Sequence, residues 1–137
     1  MCLIIDGMDH KKTCWPHFQR LSKDIGDECL VHMYLVGCLS YCQTIRPQVF
    51  VTYPNIHNDP NLTVTVMQRV LQSWQGIFLP ILYMQLDNTS RENKNSTVFS
   101  YSSMLVEKGV FKKIKVNFLL VGHTHDHIGR MLVGSQR

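Results

Sequence analysis

Apolar residues follow two different periods along the chain. Cys2-Leu-Ile-Ile5 is a short apolar run closed by Asp6-Gly7, a turn signal, and predicts a strand over Cys2–Asp6. Trp15-Pro16 opens an irregular stretch. After it, Glu28 to Cys38 encloses Cys29-Leu-Val-His-Met-Tyr-Leu-Val-Gly37 and predicts a second, largely buried strand. Gln48-Val-Phe-Val-Thr-Tyr53 alternates and is rich in β-branched and aromatic residues, which predicts a third. No helical pattern between these strands is long enough for a crossover, so they pair most simply as an antiparallel meander.

The period then changes. Asn58-Asp59-Pro60 sets a cap residue before a proline at the first helical position, and Met67, Val70, Leu71 and Trp74 recur at helical spacing until Gly76. Leu79 to Leu86 is a fourth strand. Thr89 or Ser90 caps a second helix, with Val98, Tyr101, Met104 and Leu105 on one face and Gly109 closing it. Ile114 to Val121 alternates and then becomes continuously apolar, the pattern of a strand buried on both faces. The predicted order is β-β-β-α-β-α-β with a last helix cut short. This is an α/β chain in the α+β sense, a mixed sheet carrying helices.

At 137 residues the chain fits one domain over 1–137. It enters a core strand at Cys2 or Leu3 and stops at Arg137 where a helix would begin, so it reads as a fragment of a longer protein. The net charge of +4 is compatible with a nucleic-acid partner without requiring one, and Lys11-Lys12 and Lys112-Lys113 read as solvated loop ends. Cys2, Cys14, Cys29, Cys38 and Cys42 are odd in number and contain no C-x-x-C pair. Neither a disulfide framework nor a zinc knuckle is expected, and reduced thiols fit a cytosolic or nuclear protein that is not secreted. The sequons at Asn61, Asn88 and Asn95 are then chance matches. No apolar run reaches the roughly 18 residues of a membrane span, so no membrane partner is expected.

Candidate chemistry gathers at strand ends. Asp6 ends the first strand, Asp87 ends the fourth, and Phe118-Leu-Leu-Val-Gly-His-Thr-His-Asp126 carries the fifth into a cluster of potential metal ligands. Asp126 is the last side-chain carboxylate of the chain. Each aspartate has a plain structural role open to it as well: Asp6 as a turn residue, Asp87 and Asp126 as helix caps. His123 and His125 flank Thr124 and can share one metal if the backbone is extended, whereas His10, His17, His32 and His57 read as structural or exposed. If the first and fourth strands are neighbours, Asp6 and Asp87 meet at one edge. Such a pair suits Mg²⁺ or Mn²⁺, hard cations that keep waters and substrate phosphates as further ligands.

The predicted element order is that of the ribonuclease H-like fold. Four blocks extend the likeness: Leu3-Ile-Ile-Asp-Gly-Met-Asp9, Tyr53-Pro-Asn-Ile-His-Asn-Asp-Pro-Asn-Leu62, Leu86-Asp-Asn-Thr-Ser-Arg-Glu-Asn-Lys-Asn95 and Phe118 to Ile128. Together they resemble an uncharacterised domain family of animal, transposon-derived proteins, itself similar to a DDE transposase or integrase core. The resemblance runs from Leu3 to about Met131. It implies a DNA partner, divalent metal, no small-molecule cofactor, and Asp6 and Asp87 as the first two acids, with Asn88 following the second. Where that family continues to an Ile-Asp or Val-Asp pair, the aspartate falls on Gly129 here, so Asp126 would have to serve as the third acid. Gly122-His-Thr-His125 is also similar to the closing motif of calcineurin-like metallophosphoesterases, whose other motifs the chain lacks in order.

These readings give a metal-dependent DNA strand-transfer or nuclease-like domain as the leading expectation. A non-enzymatic remnant that binds nucleic acid or protein is the alternative from another class, and the metallophosphoesterase is a weaker third.

Overall fold

The computed structural model of the chain describes residues 1–8, 13–16, 26, 29–74, 76 and 78–118. Nine elements follow in order: β1 (Cys2–Gly7), β2 (Cys14–Trp15), β3 (Val31–His32), β4 (Tyr34–Tyr41), β5 (Ile45–Thr52), α1 (Pro60–Ser73), β6 (Ile81–Leu86), α2 (Ser96–Glu107) and β7 (Lys113–Phe118). The main sheet has the strand order β5-β4-β1-β6-β7, and β2 and β3 form a separate two-stranded ladder. β4 is antiparallel to both β1 and β5, while β1, β6 and β7 run parallel. The fold is a mixed α+β sheet with two helices, and the antiparallel meander expected of the first three long strands is present.

Alternation decides which side of the sheet is buried. Leu3 and Ile5 on β1, Val36 and Cys38 on β4, and Leu82, Met84 and Leu86 on β6 form one core with Val66, Met67, Val70 and Leu71 of α1 and Val98 and Leu105 of α2. Asp59 caps α1 as the sequence predicts: its carboxylate accepts from the Asn61 and Leu62 N–H groups at 2.9 and 3.1 Å, and Pro60 fills the first turn. Past the end of α1, Gly76 has φ +81, and Gly109 after α2 has φ +72; both are left-handed conformations that favour glycine.

Several boundaries differ from the pattern reading, each for a tertiary reason. The predicted strand over 28–38 is two strands interrupted at Met33, whose N–H donates to the Thr13 carbonyl and ties β3 to β2 instead of the main sheet. β4 then runs on to Tyr41, through Ser40, because that buried hydroxyl donates to the Arg46 carbonyl and accepts from Trp74 Nε1 at 3.0 Å. β5 begins at Ile45 and includes Pro47, which only an edge strand tolerates. The second helix is capped by Asn95, not by Thr89 or Ser90; the Asn95 side chain accepts from the Val98 N–H at 3.1 Å, and residues 90–93 form turns. β7 is described to Phe118, so the expected continuation to Val121 and the cut-short last helix lie outside the described residues. No helix among the described residues is long and apolar enough to cross a membrane.

Two outcomes follow from this core. Met84 is fully buried at the centre of the sheet, so Met84→Ala lowers unfolding free energy by about 2–5 kcal/mol in urea titrations, shifting the midpoint with little change in slope. Burial pushes the Cys38 thiol from its ordinary 9.0 up to about 12. Because the folded value exceeds the unfolded one, the neutral thiol's contribution is complete below pH 9 and is lost as pH rises from 9 toward 12. A thiol reagent modifies exposed Cys29 in the native protein and reaches Cys38 only on unfolding, which mass spectrometry of the labelled chain reads directly.

Candidate active site at the sheet edge

Asp6 belongs to β1 and faces Gly37 on β4, a residue with no side chain to crowd it. Leu3 and Ile5 point to the helices, so alternation sets Asp6, with Cys2 and Ile4, in the opposite phase of the strand. On the other side of β1 the parallel ladder with β6 pairs Cys2 with Tyr83, Leu3 with Met84, Ile4 with Gln85 and Ile5 with Leu86. The last rung of that ladder is Ile5 with Leu86, and Asp6 and Asp87 are the residues that follow it on the two strands. Neighbouring strands lie about 4.8 Å apart, so the two residues stand at the same end of the sheet. Both residues are half-buried.

The chain beyond Asp87 is shaped to hold it. Its carboxylate accepts from the Asn88 N–H at 2.7 Å, and its carbonyl accepts from Asn93 Nδ2 at 3.3 Å. Asn93 Nδ2 also donates to Thr89 Oγ1 at 3.1 Å, and its Oδ1 accepts from Thr63 Oγ1 at 3.1 Å. Asn93 and Thr63 are both buried, so the amide ties the connection between β6 and α2 to the first turns of α1. Sequence reasoning passed over both. The signal was present: Thr63 stands four residues before Met67 and seven before Val70, a hydroxyl on the apolar stripe of a helix, and such a group requires a buried partner.

The carboxyl ends of β1, β6 and β7 share this edge, because all three are parallel and Leu86 pairs with Phe118. The crevice outside such strand ends is where open α/β sheets bind ligands. Two cations stand near it: Arg91, exposed in the turn after Asp87, and Lys94, whose Nζ lies 5.6 Å from the centre of the Phe118 ring. Lys112 and Lys113 are exposed at the opposite end of β7, where Lys113 pairs with Ile81, as expected of a solvated loop end. Of the predicted set, Asp6 and Asp87 are described, and they follow the same last rung of the β1–β6 ladder. His123, His125, Asp126 and Gly129, and with them the metallophosphoesterase-like Gly122–His125 segment, lie outside the described residues. Among the described residues no group of three or more ligating side chains is gathered.

If Asn93 organises the Asp87 turn, Asn93→Ala removes the amide from which the Asp87 carbonyl accepts, while the Thr63 hydroxyl keeps only the Glu92 carbonyl at 3.2 Å. The expected cost is about 1–3 kcal/mol of unfolding free energy, read by urea denaturation, with a smaller loss for Thr63→Val, which removes the hydroxyl and keeps the volume.

No curated protein and no solved structure matches the chain. The profile of a domain family of unknown function, DUF7869, matches residues 23–133, a span that contains Asp87 and the His123–Gly129 segment and leaves Asp6 outside it. That match covers most of the chain, so the protein belongs to the DUF7869 family.

Proposed function

We propose that this chain is the core of a transposon-derived, divalent-metal-dependent DNA strand-transfer or nuclease-like domain of ribonuclease H-like architecture. The observation that carries the reading is the register of the parallel β1–β6 ladder, which leads Asp6 and Asp87 to one edge. The strand order β5-β4-β1-β6-β7 supports the architectural part: a central first strand has an antiparallel meander on one side and two parallel crossover strands on the other.

A pair of strand-end carboxylates fits Mg²⁺ or Mn²⁺, which takes one or two hard oxygens from protein and leaves room for water and phosphate. Asp6 and Asp87 would hold such an ion, which would supply activation of an attacking water or hydroxyl and charge neutralisation for an in-line phosphoryl displacement. Asp6 supplies its carboxylate from the interior strand of the sheet. Asp87 supplies its own from a turn anchored by Asn93. Arg91 and Lys94 are placed to meet DNA phosphates arriving at the edge. Asp126 is the third carboxylate on this reading, with His123 and His125 as further ligands.

Gly129 favours a second reading, because the resembled family carries an aspartate there: a remnant that binds nucleic acid or protein without cutting. Plasmid nicking by the full chain separates the two. The leading reading expects nicking that requires Mg²⁺ or Mn²⁺ and falls by about 100-fold or more in Asp87→Ala and in Asp6→Ala, a loss of roughly 3 kcal/mol of transition-state stabilisation. Salt-sensitive DNA binding that survives Asp87→Ala, with no metal-dependent nicking, selects the remnant. A chain that neither nicks nor binds DNA sinks the DNA-directed reading altogether.

A further inference from the structure

The face of the main sheet turned away from the helices changes character from one edge to the other. Ile114, Val116 and Phe118 of β7 pack against the core, so alternation leaves Lys113, Lys115 and Asn117 exposed on the opposite side. The register sets residues of β6 beside them: Ile81 pairs with Lys113, Tyr83 with Lys115 and Gln85 with Asn117. Tyr83 is 41% exposed, and the Lys115 Nζ lies 5.1 Å from the centre of its ring. At the other edge of the same face β5 exposes Pro47, Val49 and Val51 instead.

Charge along the chain follows the same division. Residues 1–87 hold six Lys and Arg against seven Asp and Glu, whereas residues 88–118, which build α2 and β7, hold six against two. β6 and β7 themselves contain no acidic residue. Such an asymmetry favours a polyanion at the β7 edge. Alternate residues of a strand stand about 6.6 Å apart. That is close to the step between neighbouring phosphates of an extended nucleic-acid strand, so Lys113 and Lys115 match consecutive phosphates. An acidic peptide would use the lysines alone, but an open aromatic ring beside a basic row is also a platform for an unpaired base. Because Lys115 and Tyr83 are in contact, one nucleotide reaches both.

We propose that the helix-free face of β6 and β7 is a track for a single nucleic-acid strand. Lys113 and Lys115 take consecutive phosphates, Asn117 bonds to the sugar-phosphate backbone, and one base stacks on Tyr83. The strand leaves the track at the carboxyl ends of β6 and β7, beside Asp87. This inference rests on the DNA-directed reading of that edge and adds the route by which a strand reaches it.

Fluorescence anisotropy of a labelled oligothymidylate of about 15 nucleotides, titrated with the full chain in a chelator at several salt concentrations, separates binding from metal chemistry. The wild type binds and weakens with salt. Replacing Lys113 and Lys115 together by Gln lowers the slope of log affinity against log salt by about 1.4, roughly 0.7 for each phosphate contact. Tyr83→Ala weakens binding about tenfold or more, while Tyr83→Phe, which keeps the ring, binds like the wild type. Arg69→Gln removes an exposed charge from α1 and leaves the slope unchanged. The proposal is overturned if the oligonucleotide does not bind, if Arg69→Gln lowers the slope as much as the lysine changes, if Tyr83→Ala binds like the wild type, or if polyglutamate of equal charge displaces the oligonucleotide. Binding that depends on Lys115 and Tyr83 without metal-dependent nicking keeps the track and removes the catalytic reading. Nicking untouched by these substitutions does the reverse.

Discussion

The parallel pairing of β1 with β6 is the constraint on which the rest of the structure depends. It joins strands about 80 positions apart, and the register between them is the seam between the meander half of the chain and the crossover half. Closing so long a loop costs entropy that grows only as about (3/2)RT ln n. The ladder offsets it by burying Leu3 and Ile5 beside Leu82, Met84 and Leu86 under the two helices, each side chain contributing roughly 1.5–3 kcal/mol. Because side chains alternate strictly, a slip of β6 by one residue would turn Leu82, Met84 and Leu86 away from the helices and also shift Asp87 against Asp6. Core and candidate site are thus fixed by the same register.

Polar residues placed among apolar ones complete the packing at both ends of α1. At its carboxyl end, Trp74 packs in the core and donates to Ser40 on β4, while the Arg46 guanidinium stacks 4.0 Å from the Trp74 ring centre and donates to the Ser73 carbonyl at 2.8 Å. A cation there complements both the helix dipole and the unpaired final carbonyls. At the amino end, Thr63 reaches Asn93 and through it the Asp87 turn. The helix therefore braces the acidic edge from behind, and the geometry of that edge is part of the fold's own stability.

Two kinds of titratable group occupy different elements. Asp6 and Asp87 sit where parallel strands end, the side on which open α/β sheets bind ligands. The Cys14 thiol and the His32 imidazole face each other across the two-residue ladder outside the main sheet. From the sequence His32 reads as structural or exposed, because its partner Cys14 stands 18 positions away.

The sequence by itself determined the long elements and their types. Apolar runs marked β1 and β6, alternation marked β5 and β7, the helical stripe marked α1, and Asp59-Pro60 marked where it starts, since these signals depend on neighbours within a few residues. The two strand-end aspartates were legible for the same reason: each follows an apolar run. What only the tertiary structure decided were the features that depend on residues far apart in the chain. Met33 breaks a continuous apolar stretch because Thr13 is its partner, Ser40 stays in a strand because Trp74 and Arg46 satisfy its hydroxyl, and Asn93 is buried because Thr63 faces it. Cys14 and His32 meet for the same reason. A polar side chain carries no local sign of whether it faces water or a distant donor, and only the folded chain supplies the partner that settles it.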